Sequence, residues 1–313
     1  MGANEAKYRA AEDRYWAFEG VRPAEQWLSL PRVGSRVRVL TVGDGPPVVF
    51  VHGVNTGATS WAPLAARLAG FRCILLDRPG CGLSEPIPRR VDTPERFATY
   101  AETLIVDVLD ALELPSAHVL GTSLGGYHTL RTAAAHPERL VRIVVMGWSV
   151  GAPSRDMPFV MRLGGVRPIA WAMAAIPVND RATRALLARI GLKQALAAGR
   201  VPPEGVAWFK AMVNDTATMR NDIDTVPPIM HPRHGLSDAI LFTDDVLQRI
   251  DVPVRFIWGA DDIFGGAEVA KAFVSRVPGA ELEIVPGGHA VWMDDPDAIA
   301  ATTAQFLDGA RRE

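Results

Sequence analysis

The chain has 313 residues, of which 48% are hydrophobic and 22% are charged, and its formal net charge is −2. This composition is typical of a globular protein that is long enough to bury a sizeable core without disulfides or metal ions. The 33 basic and 35 acidic residues form no long run of one sign, so no basic patch for nucleic acid is visible.

The N-terminal segment comes first in chain order. It includes Glu5 and Glu12 and lacks an apolar h-region, so it is not a signal peptide, and we predict an amphipathic helix over residues 5–18 outside the core. No stretch of the chain reaches the roughly 18 uncharged apolar residues of a membrane-spanning helix. Cys73 and Cys81 do not provide a disulfide framework. We therefore expect a cytoplasmic protein that does not associate with membranes.

The next elements alternate between short apolar runs and helical stretches. Residues 26–31 and 36–42 flank a turn signal at 33–35, a pattern typical of an antiparallel hairpin. From residue 47 onward, apolar strands with little polar alternation are separated by helices, which indicates a parallel sheet covered on both faces. The predicted strands of this part are 47–53, 73–77, 117–123 and 140–148, and the predicted helices are 60–69, 94–112 and a run from Leu124.

This alternation stops between about residues 151 and 235. The region is rich in Met, Trp, Pro and Ala, and its pattern predicts short helices and no strand. The alternation then resumes, with predicted strands at 252–259 and 280–287 and predicted helices at 237–249, 267–276 and 296–308. We therefore predict a core of residues 1–150 and 236–313, interrupted by a helical cap of residues 151–235 over the edge of its sheet.

The strongest local motif is residues 121–125 (GTSLG), which match the G-x-S-x-G nucleophile elbow. At such an elbow the nucleophile lies on a sharp strand-to-helix turn in a strained backbone conformation, and the flanking glycines remove side chains that would clash. The predicted helix begins at Leu124, so the Ser123 hydroxyl lies at a helix N-terminus, where negative charge is favoured. We therefore predict that Ser123 is a catalytic nucleophile.

A serine nucleophile needs a general base, and the base needs a group that orients it. His289 follows the predicted strand 280–287 and so lies at the same edge of the sheet as Ser123. The acid is expected after the preceding strand, where Asp261 and Asp262 are adjacent, and the order Ser, Asp, His is known for such elbows. We predict Asp262 as the acid and Asp261 as a solvent-facing or loop-bracing carboxylate.

The sequence resembles the α/β-hydrolase superfamily, in the branch with a helical cap, over residues 36–150 and 236–310. That branch includes carboxylesterases, carbon–carbon bond hydrolases, haloalkane dehalogenases and epoxide hydrolases. The resemblance rests on four motifs at predicted strand ends: VHG (51–53), DRPGCGLS (77–84), the elbow, and the pair WGADD (258–262) and GGH (287–289). It implies an α/β-hydrolase fold with a mostly parallel eight-stranded sheet, helices on both faces and an inserted helical cap.

The resemblance also implies an oxyanion hole. In this family its donors are the backbone N–H groups of the residue after the nucleophile and of a residue after His-Gly, which here are Leu124 and Val54, with Asn55 beside them. Each such donor raises kcat by a factor of about 10²–10³, because it stabilises charge that exists only in the transition state. His52 is expected to brace this loop rather than to act as a second base.

The identity of residue 123 excludes the relatives that use a carboxylate nucleophile, the haloalkane dehalogenases and epoxide hydrolases. The loop HGVNTG (52–57) also lacks the His-Gly-Gly-Pro-Gly of related aminopeptidases. We expect a carboxylesterase-like enzyme that hydrolyses an ester or lactone through an acyl-enzyme on Ser123. One alternative is cofactor-free hydrolysis of a carbon–carbon bond in a dienoic ketone, although Val54 departs from the small polar residue common there. The others are a peroxide-forming variant and a non-catalytic homologue that binds a small ligand.

The substrate is expected to be a small, largely apolar molecule. Met157 and Phe159 of the predicted cap, together with Asn55, Trp148 and Trp292, are predicted to contact it. The sequence has no CxxC pair, no HExxH motif and no closely spaced His/Asp cluster, so we expect no metal site and no cofactor.

Overall fold

A sheet of eight strands forms the centre of the fold in a computed structural model, which describes residues 3–88, 91–154, 166–225, 230–231 and 235–309. The strands are β1 (Ala24–Leu30), β2 (Ser35–Val42), β3 (Pro47–Val51), β4 (Arg72–Leu76), β5 (Ala117–Ser123), β6 (Leu140–Ser149), β7 (Val254–Gly259) and β8 (Glu281–Val285). Their order is β1-β2-β4-β3-β5-β6-β7-β8. Strand β2 is antiparallel to β1 and β4, and the other neighbours are parallel, which confirms the predicted hairpin and the mostly parallel sheet.

Helices connect most of these strands. Those described are α1 (Ala3–Phe18), α2 (Ala62–Ala65), α3 (Pro94–Ala111), α4 (Leu124–Ala135), α5 (Arg167–Ala174), α6 (Asp180–Leu187), α7 (Lys193–Ala197), α8 (Pro203–Asp215), α9 (Thr218–Thr225), α10 (Asp244–Leu247), α11 (Ala267–Val274), α12 (Val291–Asp294) and α13 (Pro296–Asp308). Within the described ranges, none of the helices is both long and apolar enough to cross a bilayer.

The sheet is covered on both faces, as predicted. One apolar cluster packs α3, α4 and α11 against one face, and a second cluster packs α1, α2 and α13 against the other. Strand β3 serves both clusters, because Val49 and Val51 belong to the first and Val48 and Phe50 to the second. Burial of both faces explains why the central strands are almost continuously apolar.

Two predicted helices are shorter in the structure than in the prediction. The helix predicted at 60–69 is a 3₁₀ turn, Ala58–Trp61, followed by the single turn of α2. The helix predicted at 237–249 consists of a 3₁₀ turn, Asp238–Ile240, and α10. Leu241 and Thr243 separate these two turns because their backbones are extended.

The N-terminal helix α1 does not lie outside the core, so that expectation was wrong. It buries Tyr8, Glu12, Tyr15 and Trp16, which share one face at i, i+4, i+7 and i+8. Glu12 accepts a hydrogen bond from Tyr8 at 3.0 Å and forms a buried ion pair with Arg38 of β2 at 2.5 Å. The burial was missed because the charge within this face is neutralised by a strand residue that no local pattern connects to the helix.

The chain between β6 and β7 is mainly helical where it is described. We call residues 166–225, which contain α5 to α9, the α5–α9 segment. Its helix α8 packs on α1, where the Trp208 indole N–H donates to Tyr8 Oη at 3.3 Å. Met230–His231 and Gly235–Leu236 form a short antiparallel ladder, although no strand was predicted there. The division into a core and a cap remains a prediction.

Candidate active site

Ser123 lies at the junction of β5 and α4. Its backbone has φ 52° and ψ −115°, a left-handed value that a non-glycine residue rarely adopts. Such strain is found where a surrounding fold holds a functional residue in place. The residue is 5% exposed and immediately precedes the first turn of α4, so its hydroxyl lies beside unpaired helix N–H groups.

The glycines of the elbow are required by close packing. A Cβ at Gly121 would collide with the Thr129 side chain, and a Cβ at Gly125 would collide with the Val51 carbonyl of β3. A Cβ at Gly53 would lie 3.0 Å from the Ser123 Cβ. The loop after β3 therefore passes directly beside Ser123.

The carboxylate of Asp262 is buried and accepts three hydrogen bonds. Its Oδ2 accepts from the Trp148 backbone N–H at 2.8 Å and from His289 Nδ1 at 2.9 Å. Its Oδ1 accepts from the Phe264 backbone N–H at 3.0 Å. Because a carboxylate only accepts, this geometry places the imidazole proton of neutral His289 on Nδ1 and leaves Nε2 as the basic nitrogen.

Asp261 has different surroundings from Asp262. It is exposed, and its Oδ2 accepts a hydrogen bond from Gln194 Nε2 at 2.6 Å. Its backbone N–H donates to the Gly287 carbonyl at 3.0 Å. Of the two adjacent aspartates, the structure therefore brings only Asp262 to His289.

Sheet order brings Ser123 to the same edge as this pair. Ser123 is the register partner of Ser149 at the end of β6, and the preceding residue, Trp148, binds Asp262 after β7. In the described part of the chain, no hydrogen bond joins Ser123 Oγ to His289. Hydrogen bonds of this kind often tighten only in the complex with substrate.

Phe264 is a residue of this site that the sequence analysis missed. Its ring lies 4.7 Å from the His289 ring in an edge-to-face arrangement and stacks on Trp148 at 4.8 Å. The backbone of Gly147, at φ 68°, lets the His289 carbonyl approach, and a Cβ there would collide with it. Phe264 carries no sequence signal beyond its position two residues after Asp262.

The predicted oxyanion donors are carried by Ser123's own elbow and by the loop after β3. The N–H of Leu124 directly follows Ser123, and the N–H of Val54 follows Gly53, which packs against Ser123. Neither amide has a hydrogen-bond partner among the described residues. Asn55 has a left-handed backbone, φ 55°, and its N–H donates a hydrogen bond to the Asp222 carboxylate at 2.5 Å.

His52 braces the loop that carries Val54, as the sequence analysis expected. Its Nε2 accepts from the Arg78 backbone N–H at 3.0 Å, so Nδ1 carries the proton and donates to the Gly53 carbonyl at 2.8 Å. Burial, together with the nearby Arg78 charge, lowers the pKa of His52 well below its ordinary value. The ring is therefore neutral at physiological pH.

The other predicted substrate contacts are placed as follows. Trp148 is 1% exposed and its indole N–H donates to the Pro153 carbonyl at 3.0 Å. Trp292 is 4% exposed, donates to the Ser60 carbonyl at 2.8 Å and stacks on Trp61 at 4.2 Å. Met157 and Phe159 lie outside the described residues. Contact of these side chains with a substrate remains a prediction.

The α5–α9 segment reaches the site at two places. A π-helical turn, Ala188–Leu192, lies over the loop of His289, and a Cβ at Gly191 would be 2.6 Å from the His289 Cβ. Helix α9 contacts the loop after β4, where Thr218 Oγ1 accepts from the Gly82 N–H at 2.9 Å. The segment therefore lies against both His289 and the loop after β4.

Cys73 and Cys81 are free and buried, and burial raises the pKa of both thiols. In residues 3–88, 91–154 and the later described ranges, no three His, Cys, Asp or Glu side chains are grouped as metal ligands would be.

Comparison with known proteins agrees with this fold. The family model described as "alpha/beta hydrolase fold" matches residues 46–296, well over half of the chain. A 2-hydroxy-6-oxononadienedioate/2-hydroxy-6-oxononatrienedioate hydrolase of Cupriavidus pinatubonensis is 28% identical over 284 residues, which cover 83% of this chain and 86% of that protein.

Two solved structures show the same fold. Carboxylesterase CesB of Bacillus subtilis has a TM-score of 0.73 at 22% identity. The match covers 98% of this chain and 99% of the esterase chain. A meta-cleavage product hydrolase of Pseudomonas fluorescens has a TM-score of 0.73 at 20% identity, with coverages of 91% and 98%. These relatives are hydrolases of different substrates, so they do not distinguish which bond this chain cleaves.

Proposed function

Since the chain belongs to the α/β-hydrolase fold family and is a hydrolase of that type, we propose that it cleaves a carboxylic ester or lactone through an acyl-enzyme on Ser123. The observation that carries the proposal is the 2.9 Å hydrogen bond from His289 Nδ1 to Asp262, beside a serine held in a strained elbow. This arrangement leaves a basic nitrogen at the sheet edge that also holds the nucleophile.

The reaction proceeds in two acyl-transfer steps. Ser123 Oγ attacks the acyl carbon as its proton passes to His289 Nε2, and the carbonyl electron pair moves to an oxyanion that the amides of Val54 and Leu124 stabilise. The bond to the alcohol then breaks, and His289 protonates the departing oxygen. Water attacks the acyl-enzyme with His289 as base, which releases the carboxylic acid and restores Ser123. Asp262 fixes the imidazole tautomer and stabilises the imidazolium in both steps.

The α5–α9 segment acts as part of a cap that shapes the substrate site. Its contacts with His289 through Gly191, and with the loop after β4 through Thr218, support this role.

The pairing of the charged groups near Ser123 supports a largely apolar substrate. Arg78 is the buried cation that touches the loop of Val54, and Asp222 already pairs with it at 3.1 Å. Among the described residues of that loop region, no unpaired cation is offered to a substrate carboxylate.

The proposal is tested with p-nitrophenyl esters of graded acyl length and with simple lactones. We expect turnover by the wild type and a loss of roughly 10⁴-fold or more in kcat for Ser123→Ala. A fluorophosphonate should label the wild type on Ser123 and leave Ser123→Ala unlabelled. No turnover of any ester or lactone, together with no labelling, contradicts the proposal and favours a protein that only binds a small ligand.

A second candidate is hydrolysis of a carbon–carbon bond in a dienoic ketone. The observation that favours it is the 28% identity to the Cupriavidus hydrolase, whose name specifies such a substrate, over most of both chains. The same serine, histidine and aspartate could serve that reaction. The test measures turnover of a 2-hydroxy-6-oxo-dienoate as the loss of its ultraviolet absorbance. Turnover of this compound without turnover of any ester would favour this candidate over the first.

A further inference from the structure

Arg78 is a fully buried cation with partners on two sides. Its Nε donates to the His52 carbonyl at 3.1 Å, and its Nη2 donates to the Gly53 carbonyl at 2.9 Å. The same Nη2 lies 3.1 Å from both carboxylate oxygens of Asp222 in α9. Asp222 is 2% exposed, so the ion pair joins the core to the α5–α9 segment out of contact with water.

The hydrogen bond from Arg78 to the Gly53 carbonyl controls the direction of the Val54 N–H. The Gly53 carbonyl and the Val54 N–H belong to one planar trans peptide, in which they point in opposite directions. Arg78 and His52 both donate to that carbonyl and so hold the peptide plane. The Val54 N–H is therefore aimed away from Arg78. A cation on the carbonyl also polarises the peptide and makes its N–H a stronger donor.

Asp222 holds the next peptide of the same loop. Its Oδ2 accepts the Asn55 N–H at 2.5 Å, so both peptides that flank Val54 are fixed by the buried pair. Asp222 also neutralises Arg78, which could not remain buried and charged beside the loop without a partner. Helix α9 presents Asp222 from one face, on which Thr218 and Asn221 bind the backbone after β4.

We propose that Arg78 and Asp222 are positioning residues of the oxyanion hole, through which the seating of α9 sets the direction of the Val54 N–H. The inference rests on the proposed acyl-transfer function. The α5–α9 segment is then part of the catalytic machinery as well as a cover for substrate. A misdirected donor weakens binding of the transition state and leaves binding of the ground state nearly unchanged.

Asp222→Asn tests this inference, because it keeps the shape of the side chain and removes its charge. We expect kcat for a p-nitrophenyl ester to fall roughly 10- to 100-fold, with KM changed less than about threefold. Inhibition by a trifluoromethyl ketone, which forms an oxyanion on Ser123, should weaken by a similar factor. Arg78→Lys is the second variant, for use if Asp222→Asn does not fold. It keeps the positive charge but loses the planar guanidinium fork, and we expect the same effects on kcat, KM and ketone inhibition.

Tyr8→Phe is the matched control. It removes a buried hydrogen bond between the same segment and the core, from the Trp208 indole N–H of α8 to Tyr8 Oη at 3.3 Å, and leaves both peptides of Val54 untouched. We expect it to lower the melting temperature and to retain kcat and the inhibition constant of the ketone. Equal losses of kcat in Tyr8→Phe and Asp222→Asn would overturn the inference, because they would mean that the α5–α9 segment acts only through stability.

The outcomes separate this inference from the proposed function. An active wild type whose Asp222→Asn variant keeps wild-type kcat and ketone inhibition contradicts the positioning role alone. A wild type that neither hydrolyses esters nor reacts with a fluorophosphonate contradicts both. If fluorophosphonate labels Ser123 but no ester is turned over, the labelling rate replaces kcat as the readout, since the phosphonyl oxygen occupies the same oxyanion site.

Discussion

Asp261 and Asp262 are adjacent, yet only one of them has the surroundings of a catalytic acid. Asp262 is buried and receives hydrogen bonds from Trp148, Phe264 and His289, and these charge-assisted bonds stabilise the carboxylate and fix its direction. Asp261 is exposed and contacts Gln194. The difference arises because the turn after β7 points one side chain toward the end of β6 and the other toward the α5–α9 segment.

We predict that Asp262→Asn lowers kcat by up to about 10⁴-fold, because an amide at this position favours the wrong tautomer of His289. Asp261→Asn is the control and should change kcat less than about threefold, since its partner is an exposed glutamine. Steady-state kinetics on the best ester substrate, with melting temperatures of both variants, checks the pair. A larger loss in Asp261→Asn would assign the acid to the other aspartate.

At the scale of elements, the π-helical turn of the α5–α9 segment approaches the loop after β8. Gly191, at φ 102°, allows this approach, because a Cβ there would be 2.6 Å from the His289 Cβ and 2.7 Å from its backbone nitrogen. Gly199, at φ 68°, lies in the same segment with nothing within 4 Å of its Cβ position. Both glycines have a positive φ, but only Gly191 lies against His289.

Gly191→Ala is therefore expected to displace His289 and to lower kcat/KM by roughly 10- to 100-fold. Gly199→Ala carries a similar left-handed backbone strain, so it should lower stability by about 1 kcal/mol and keep kcat/KM near the wild-type value. The pair is compared by ester kinetics and by urea unfolding. Similar activities in the two variants would show that the turn does not bear on the histidine.

At the scale of the whole molecule, buried histidines link stability to pH. Burial, with the Arg78 charge second, lowers the pKa of His128 to about 3, against an ordinary value of 6.5. Its Nδ1 lies 3.4 Å from the Ala101 carbonyl, and its ring packs edge-to-face on Tyr100. Between these two pH values the unfolded chain binds a proton that the folded chain does not. The free energy of unfolding therefore falls as pH is lowered from about 6.5 toward 3.

We predict that His128→Gln reduces this dependence, because the neutral amide does not titrate. The slope of the unfolding free energy against pH, measured by urea unfolding from about pH 6 to pH 4.5, should decrease by up to about 1.4 kcal/mol per pH unit. His136→Gln is the control, since that side chain is 41% exposed. An unchanged slope in His128→Gln would contradict the prediction.

Several features could be predicted from local sequence. The strands were placed within two residues of their observed ends, because apolar runs and turn residues mark them directly. The elbow, residues 121–125, could be recognised because glycine spacing reflects a steric requirement of the turn. The positions of Asp262 and His289 followed from sheet topology, since residues after parallel strands meet at one edge. Phe264 and Asp222 were missed, because neither carries a local pattern.

The sequence by itself determined the parallel sheet, the serine elbow and the chain order of Ser123, Asp262 and His289 at strand ends, because these depend on periodicity and on residues close together in the chain. Only the tertiary structure decided the burial of α1, the contact of Asp262 with His289 and the buried pair of Arg78 and Asp222. The last two residues are separated by 144 positions. Such contacts form when distant elements pack together and bury their charges in pairs, which a local pattern does not encode.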